Sequence, residues 1–165
     1  MRCSWLIAAA LAVPFPAAAQ PATSATEALH GVADPRAFVG ARYEAYRRHP
    51  EAPPEDPAFA YSDRLRALFD AYQAWTARHE DLIGSLDFDW WTNAQDWRID
   101  GVTLDEQESG PNRRTVVARF RNWDQPAEVR FAFVRQQGRW YIDDASSGEG
   151  ADGWTLSALL GERPE

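Results

Sequence analysis

The residue best placed for chemistry is Asp144, at the end of the run Trp140-Tyr141-Ile142-Asp143-Asp144. If that run is a strand, alternation puts Asp144 on the same side as Trp140 and Ile142. A carboxylate on an apolar face has a raised pKa and can act as a general base or as an anchor for a ligand's donor group. The bland alternative is a carboxylate that caps a loop at the strand's end. Tyr43 and Tyr46 supply phenols, and a phenol beside a carboxylic acid can stabilise an oxyanion. Tyrosines at helical spacing are more often core residues whose hydroxyl finds one partner. Gln95 alternates with Trp97 and Ile99, so its amide faces the same way as those two. It can serve a ligand or satisfy a buried backbone group. Phe131 completes this set of inward-facing ligand-binding candidates.

Other constellations carry less. Asp87, Asp89 and Asn93 bracket Trp90 and Trp91, but the stretch lacks the glycine turn and terminal glutamate of a calcium loop. The two tryptophans either pack over an open end of the sheet or form an exposed partner-binding patch. His30, His49 and His79 are widely spaced and make no helical metal pair. His79 lies where it can meet the dipole at a helix end. No nucleophile elbow, phosphate loop or cysteine-rich zinc spacing occurs, so no metal or cofactor is expected.

Composition narrows the chemistry further. The chain begins with Arg2, runs apolar from Leu6 to about Ala18 and reaches Ala17-Ala18-Ala19. That order reads as a signal peptide over 1–19, cut after Ala19. The run is too short to span ~30 Å of hydrocarbon, and Pro14 and Pro16 interrupt it. Cys3, the only cysteine, leaves with it, which removes disulfides and thiol chemistry from the mature part. The expected location is periplasmic or secreted, with no membrane anchor after cleavage. The remainder holds 16 arginines against 25 acids, and such an acidic surface repels nucleic-acid phosphates and anionic lipids. Lysine is absent throughout, so Schiff-base chemistry is absent too.

The elements that must position these groups follow from the pattern. Residues 20–33 read as a flexible lead-in. Asp34-Pro35 is an N-cap followed by proline at the first helical position, and Phe38, Val39, Tyr43 and Tyr46 form one stripe. That helix ends before Pro50, where four prolines in eight residues make a stiff loop to Pro57. Ser62 or Asp63 caps a second helix whose buried face is Leu65, Leu68, Phe69, Tyr72 and Trp75. Leu82 extends that face, and Gly84 suits a left-handed stop.

After Gly84 the period becomes alternating. Strands are expected around Gln95–Asp100, Thr115–Arg121, Val129–Val134 and Trp140–Asp143, with a polar turn over Glu106–Asn112. A short helix over Thr155–Leu160 closes a single domain spanning 34–161, followed by a 162–165 tail. The fold class is α+β, two N-terminal helices on an antiparallel meander of four or more strands. A hairpin loop at Asp124-Gln125 would set Phe120 opposite Val129, Ala118 opposite Phe131 and Arg119 opposite Arg130. The last pair is repulsive, so an acid should lie nearby. A second loop at Gln137-Gly138 sets Ala132 opposite Asp143, beside Arg130, and Asp144 opposite Phe131.

Several motifs carry a resemblance: Phe38-Val39 with Tyr43 and Tyr46, Ser62-Asp63-Arg64-Leu65, Leu86-Asp87-Phe88-Asp89, and Asn93-Ala94-Gln95-Asp96-Trp97. Val117-Ala118-Arg119-Phe120-Arg121-Asn122 and Trp140-Tyr141-Ile142-Asp143-Asp144 complete the set. The chain resembles the exported bacterial family known as domain of unknown function 3828. More broadly, it resembles the cone-shaped fold of nuclear transport factor 2 and ketosteroid isomerase. The resemblance implies helices closing one mouth of a sheet whose concave face forms a pocket, and it implies no activity. The functional expectation is a non-enzymatic binding module for a small apolar or amphipathic ligand, using Gln95, Asp144, Tyr43, Trp97 and Phe131. One alternative is a protein-binding inhibitor or envelope assembly factor that meets an envelope protein through Trp90 and Trp91. Another is an isomerase-like or hydratase-like enzyme using Asp144 with a tyrosine.

Overall fold

The computed structural model describes residues 30–150 and 153–163. The expected signal peptide and residues 20–29 of the lead-in lie outside them. Helix α1 spans Pro35–Arg48, and the Asp34 carboxylate accepts from the Ala37 N–H at 2.9 Å. Proline at the start removes a donor that would have no helical partner. Val39, Tyr43 and Tyr46 are buried, while Phe38 is half-buried at the edge of the stripe. The proline loop leads to a 3-10 turn at Ala58–Ala60 and then to helix α2, Asp63–Thr76. Ser62 caps α2, its hydroxyl accepting from the Leu65 N–H at 3.1 Å.

Helix α2 stops short of the expected extension to Leu82. Its last turn tightens, with the N–H groups of Arg78 and His79 reaching back only three residues. The His79 ring stacks on Trp75 at 4.8 Å and its Nδ1 lies 2.8 Å from the Trp75 carbonyl. Gly84 is not a left-handed stop. Its glycine is needed because a Cβ there would collide with the Tyr72 hydroxyl.

The sheet is antiparallel and has five strands in sequence order. They are β1 (Ile99–Gly110), β2 (Arg113–Asn122), β3 (Gln125–Gln136), β4 (Arg139–Ser147) and the short β5 (Trp154–Thr155). Helix α3 follows at Leu156–Gly161. The fold class is therefore α+β as expected, with both longer helices preceding a meander. Strand β1 starts later than expected and takes up the first five residues of the expected polar turn, 106–110, leaving only the end of that span to turn. Glu106 and Glu108 are polar because they pair with Arg114 across the strands, at 2.8 and 2.7 Å. The turn is Pro111-Asn112.

The β2–β3 register differs from the expected one by two residues. The loop is Trp123-Asp124, so Ala118 faces Val129, Val116 faces Phe131 and Arg119 faces Glu128. A shift of two keeps every side chain on its own face, which is why the apolar pattern alone could not choose between the registers. Charge does choose. Glu128 sits 2.6 Å from Arg119 and 2.5 Å from Arg130, replacing a repulsive pair by a three-member network. The Gln137-Gly138 loop is as expected, but a bulge in β4 breaks its register between Ala132 and Phe133. Beyond it, Ala132 faces Asp144 and Phe131 faces Ala145.

The inner face of the sheet carries Val116, Ala118, Phe120, Val129, Phe131, Phe133, Ile142 and Ala145, all buried. Helix α1 lies over this face, and α2 and α3 pack on each other and on β4. The lead-in is tied down from Gly31 rather than from Asp34. Val32 pairs with Trp140 through both backbone groups, at 2.8 and 2.9 Å. Gly31 takes φ +74 beneath the Tyr141 ring, where a Cβ would lie 2.6 Å from that ring. Among the described residues no helix is long and apolar enough to cross a membrane.

Candidate functional site

The aromatic candidates converge, and they fill the inner face. Phe131 is fully buried, with its ring 4.5 Å from Trp91, 6.1 Å from Trp90 and 6.3 Å from Tyr43. Tyr43 also packs on Phe120 at 5.0 Å. Trp97 is half-buried and meets Tyr46 edge-on at 5.4 Å. Trp90 and Trp91 are 7% and 2% exposed, so they pack inward and do not form the exposed partner-binding patch that was the alternative expectation. Their rings lie 4.8 Å apart and plug the space between α1 and the sheet.

Two phenols hold that plug in place. The Tyr43 hydroxyl donates to the Trp91 carbonyl at 2.6 Å, and the Tyr46 hydroxyl donates to an Asp89 oxygen at 2.6 Å. The other Asp89 oxygen accepts from the Trp91 N–H at 2.8 Å, and the Asp89 carbonyl accepts from Thr92 and Ala94. Asp89 is thus the centre of a tight turn whose side chain mimics the backbone. Both phenols are held above their ordinary pKa first by burial; the next cause is the neighbouring Tyr46 phenol for Tyr43 and the Asp89 carboxylate for Tyr46. They are proton donors at neutral pH and poor general bases.

Outside the plug lies a cleft of about 320 Å³ lined by Arg42, Tyr46, Pro54, Asp56, Tyr61 and Trp90, among others. Arg42 straps its rim, donating to the carbonyls of Glu55 and of Pro54, the latter at 3.0 Å. Its guanidinium lies over the Trp91 ring at 5.2 Å and the Tyr46 ring at 5.6 Å. That geometry satisfies a cation on aromatic faces while it fixes the proline loop. The Tyr61 hydroxyl donates to Asp56 at 2.5 Å, and burial followed by that bond holds the phenol well above its ordinary pKa. Asp56 itself is exposed. The cleft therefore offers aromatic walls and one carboxylate that solvent or a ligand can reach, while the hydroxyls of Tyr46 and Tyr61 are committed to Asp89 and Asp56.

Asp144 and Gln95 lie elsewhere. The β4 bulge takes Asp144 off the inner face, where Ala145 stands instead. One Asp144 oxygen accepts from the N–H groups of Ala145 and Ser157 at 2.9 and 3.0 Å. The other accepts from the Ser157 hydroxyl at 2.5 Å and lies 3.3 Å from Arg64. Asp144 thus fastens the first turn of α3 to β4. Asp143 does not counter Arg130, a place Glu128 occupies. It accepts from the Ser62 hydroxyl at 2.7 Å and from Arg64 at 3.2 Å. Gln95 is exposed in the loop before β1, with its amide nitrogen 3.4 Å from the Asp87 carbonyl. Strand alternation does not reach it because β1 begins only at Ile99.

Sequence reasoning missed Arg42, Asp56 and Tyr61. Arg42 carries a signal: it falls four residues after Phe38 and four before Tyr46, so a cation interrupts an apolar stripe. Asp56 and Tyr61 come together through the proline loop and 3-10 turn, for which periodicity gives no cue. Asp144, Tyr43 and Tyr46 each bond a different group, so the carboxylate–phenol pair of the isomerase-like alternative does not assemble.

Compared with protein-family models, curated proteins and solved structures, the chain matches none.

Proposed function

We propose that this protein is a non-enzymatic binding domain of the bacterial periplasm, which holds a small amphipathic ligand in the cleft between α1, the proline loop and Trp90. The observation that carries the reading is the cleft itself. Its volume lies at the lower end of the range of small-molecule sites, and a few polar groups converge on aromatic walls. The ligand's apolar body rests on Trp90 and Tyr61, and its donor group meets Asp56. This moves the expected ligand from the inner face, which Tyr43, Trp91 and Phe131 occupy, to the mouth beside it. The periplasmic location rests on the charged start, apolar run and Ala17-Ala18-Ala19. Kinship with the domain of unknown function 3828 family, and with the wider cone-shaped fold, is supported by the quoted motifs and by the order of helices and strands.

The test is a thermal-shift screen of the mature protein against amphipathic amines and alcohols. A ligand at a hundred times its dissociation constant adds about 2.7 kcal/mol. Asp56→Asn and Tyr61→Phe should each shrink the shift caused by the best compound. The reading fails if no compound stabilises the protein, or if both variants respond like the parent.

A further inference from the structure

The hairpin joining β2 and β3 turns on Trp123 and Asp124, at φ +49 and +71. Two-residue turns of this kind favour asparagine and glycine because both central residues have positive φ. A tryptophan in that conformation is unfavourable, and here burial does not offset it, since Trp123 is 57% exposed. The tip is nevertheless rigid. The Trp123 N–H donates to the Arg98 carbonyl at 3.2 Å, and the Arg98 N–H donates to the Asn122 side chain at 2.7 Å. The Arg98 guanidinium covers the ring at 5.9 Å, while Arg121 is bonded to the Asp124 carbonyl and lies 3.6 Å from the exposed Asp124 carboxylate. Among the described residues this leaves Arg98 as the cation beside the ring without a carboxylate partner at the tip. A preorganised tryptophan flanked by arginines has the composition and rigidity of an interface anchor.

A complementary surface lies on the same chain. Between α1 and the proline loop is a groove of about 370 Å³, with Phe38, Ala41, Ala45, Pro54, Pro57 and Phe59 providing its apolar walls. Phe59 is 47% exposed and meets Phe38 edge-on at 6.1 Å. Glu55 and Asp56 stand at the rim, both exposed. The one cation in the groove, Arg42, is committed to backbone carbonyls and ring faces. We propose that the Trp123 tip of one copy inserts into this groove of a second copy, with Arg98 opposite Glu55 and Asp56. The contact joins unlike surfaces, so it is head-to-tail. It goes beyond the ligand reading and does not depend on it, although the two sites share the proline loop.

Sedimentation of the mature chain from micromolar to about 1 mM, the weak end of specific affinity, tests this. The parent should associate as concentration rises. Trp123→Asn, which suits the turn, should weaken association at least about tenfold. Ala41→Arg, at an exposed helix position in the groove, should do the same by filling it. An equimolar mixture of the two variants should form a one-to-one pair, because one intact tip then meets one intact groove. The proposal is overturned if the parent stays monomeric throughout, if either variant associates like the parent, or if the mixture does not pair.

Discussion

Replacing Asp144 by alanine separates a structural carboxylate from a ligand anchor. The side chain accepts from two backbone N–H groups and one hydroxyl, and only 21% of it is exposed. Removing it strands the Ser157 N–H and hydroxyl at the start of α3. At about 1 kcal/mol for each bond, after competition with water, the loss is about 3 kcal/mol. For a domain near this size that lowers Tm by about 10 °C. Asp144→Asn keeps an acceptor but loses the charge facing Arg64, so about half that loss is expected. Ser157→Ala alone should cost about 1 kcal/mol. In the double variant the coupling between the two sites should be about 1 kcal/mol, read from chemical unfolding. Ligand-induced thermal shifts should be unchanged once each variant is compared with its own baseline. An Asp144→Ala protein that melts within about 1 °C of the parent, yet no longer responds to ligand, would refute this assignment and restore Asp144 as a binding residue.

Four further outcomes follow from single contacts. Gly84→Ala drives a methyl group into the Tyr72 hydroxyl, which accepts from the Leu86 N–H at 2.9 Å, and should cost about 1–3 kcal/mol in chemical unfolding. Glu128→Gln weakens the network holding Arg119 and Arg130, and should cost about 1 kcal/mol, most of which disappears in high salt. Trp123→Asn should raise stability by about 0.5–1 kcal/mol by relieving the turn, even as it weakens association. Tyr43, Tyr46 and Tyr61 have folded pKa values above the unfolded value near 10. A raised value means stability is fully present below that unfolded pKa and declines as pH climbs through the folded ones. In an alkaline titration, phenolate absorbance from these three should therefore appear only together with loss of the native circular dichroism.

Much of the fold was legible because local chemistry and periodicity agreed. Asp34-Pro35 and Ser62 mark the starts of both longer helices, and the alternation of Val116, Ala118 and Phe120 marks the inner face of β2. Where the reading failed, identical patterns were compatible with two geometries. Val116 can face Phe131 or Phe133 with no change in which side chains are buried. Only the Arg119–Arg130 clash distinguished the registers, and Glu128 resolves it in the observed one. Glu106 and Glu108 likewise read as a turn until Arg114 is set beside them, which requires the neighbouring strand.

The site was harder to read because its position depends on one inserted residue and one irregular loop. A bulge in β4 exchanges Asp144 for Ala145 opposite Phe131, and one residue of slip moves every later side chain to the opposite face. That single irregularity converts the chain's most suggestive carboxylate into a fastening for α3. The inner face consequently holds no free carboxylate, and the phenols that border it are spent on the Asp89–Trp91 turn. Polar chemistry is displaced outward, to where the proline loop brings Asp56 against Tyr61. Of the two carboxylates in that cleft, Asp89 has both oxygens bonded within the chain, whereas Asp56 accepts from one phenol and stands in solvent. Asp56 is therefore where an incoming donor meets the least competition from the protein's own hydrogen bonds.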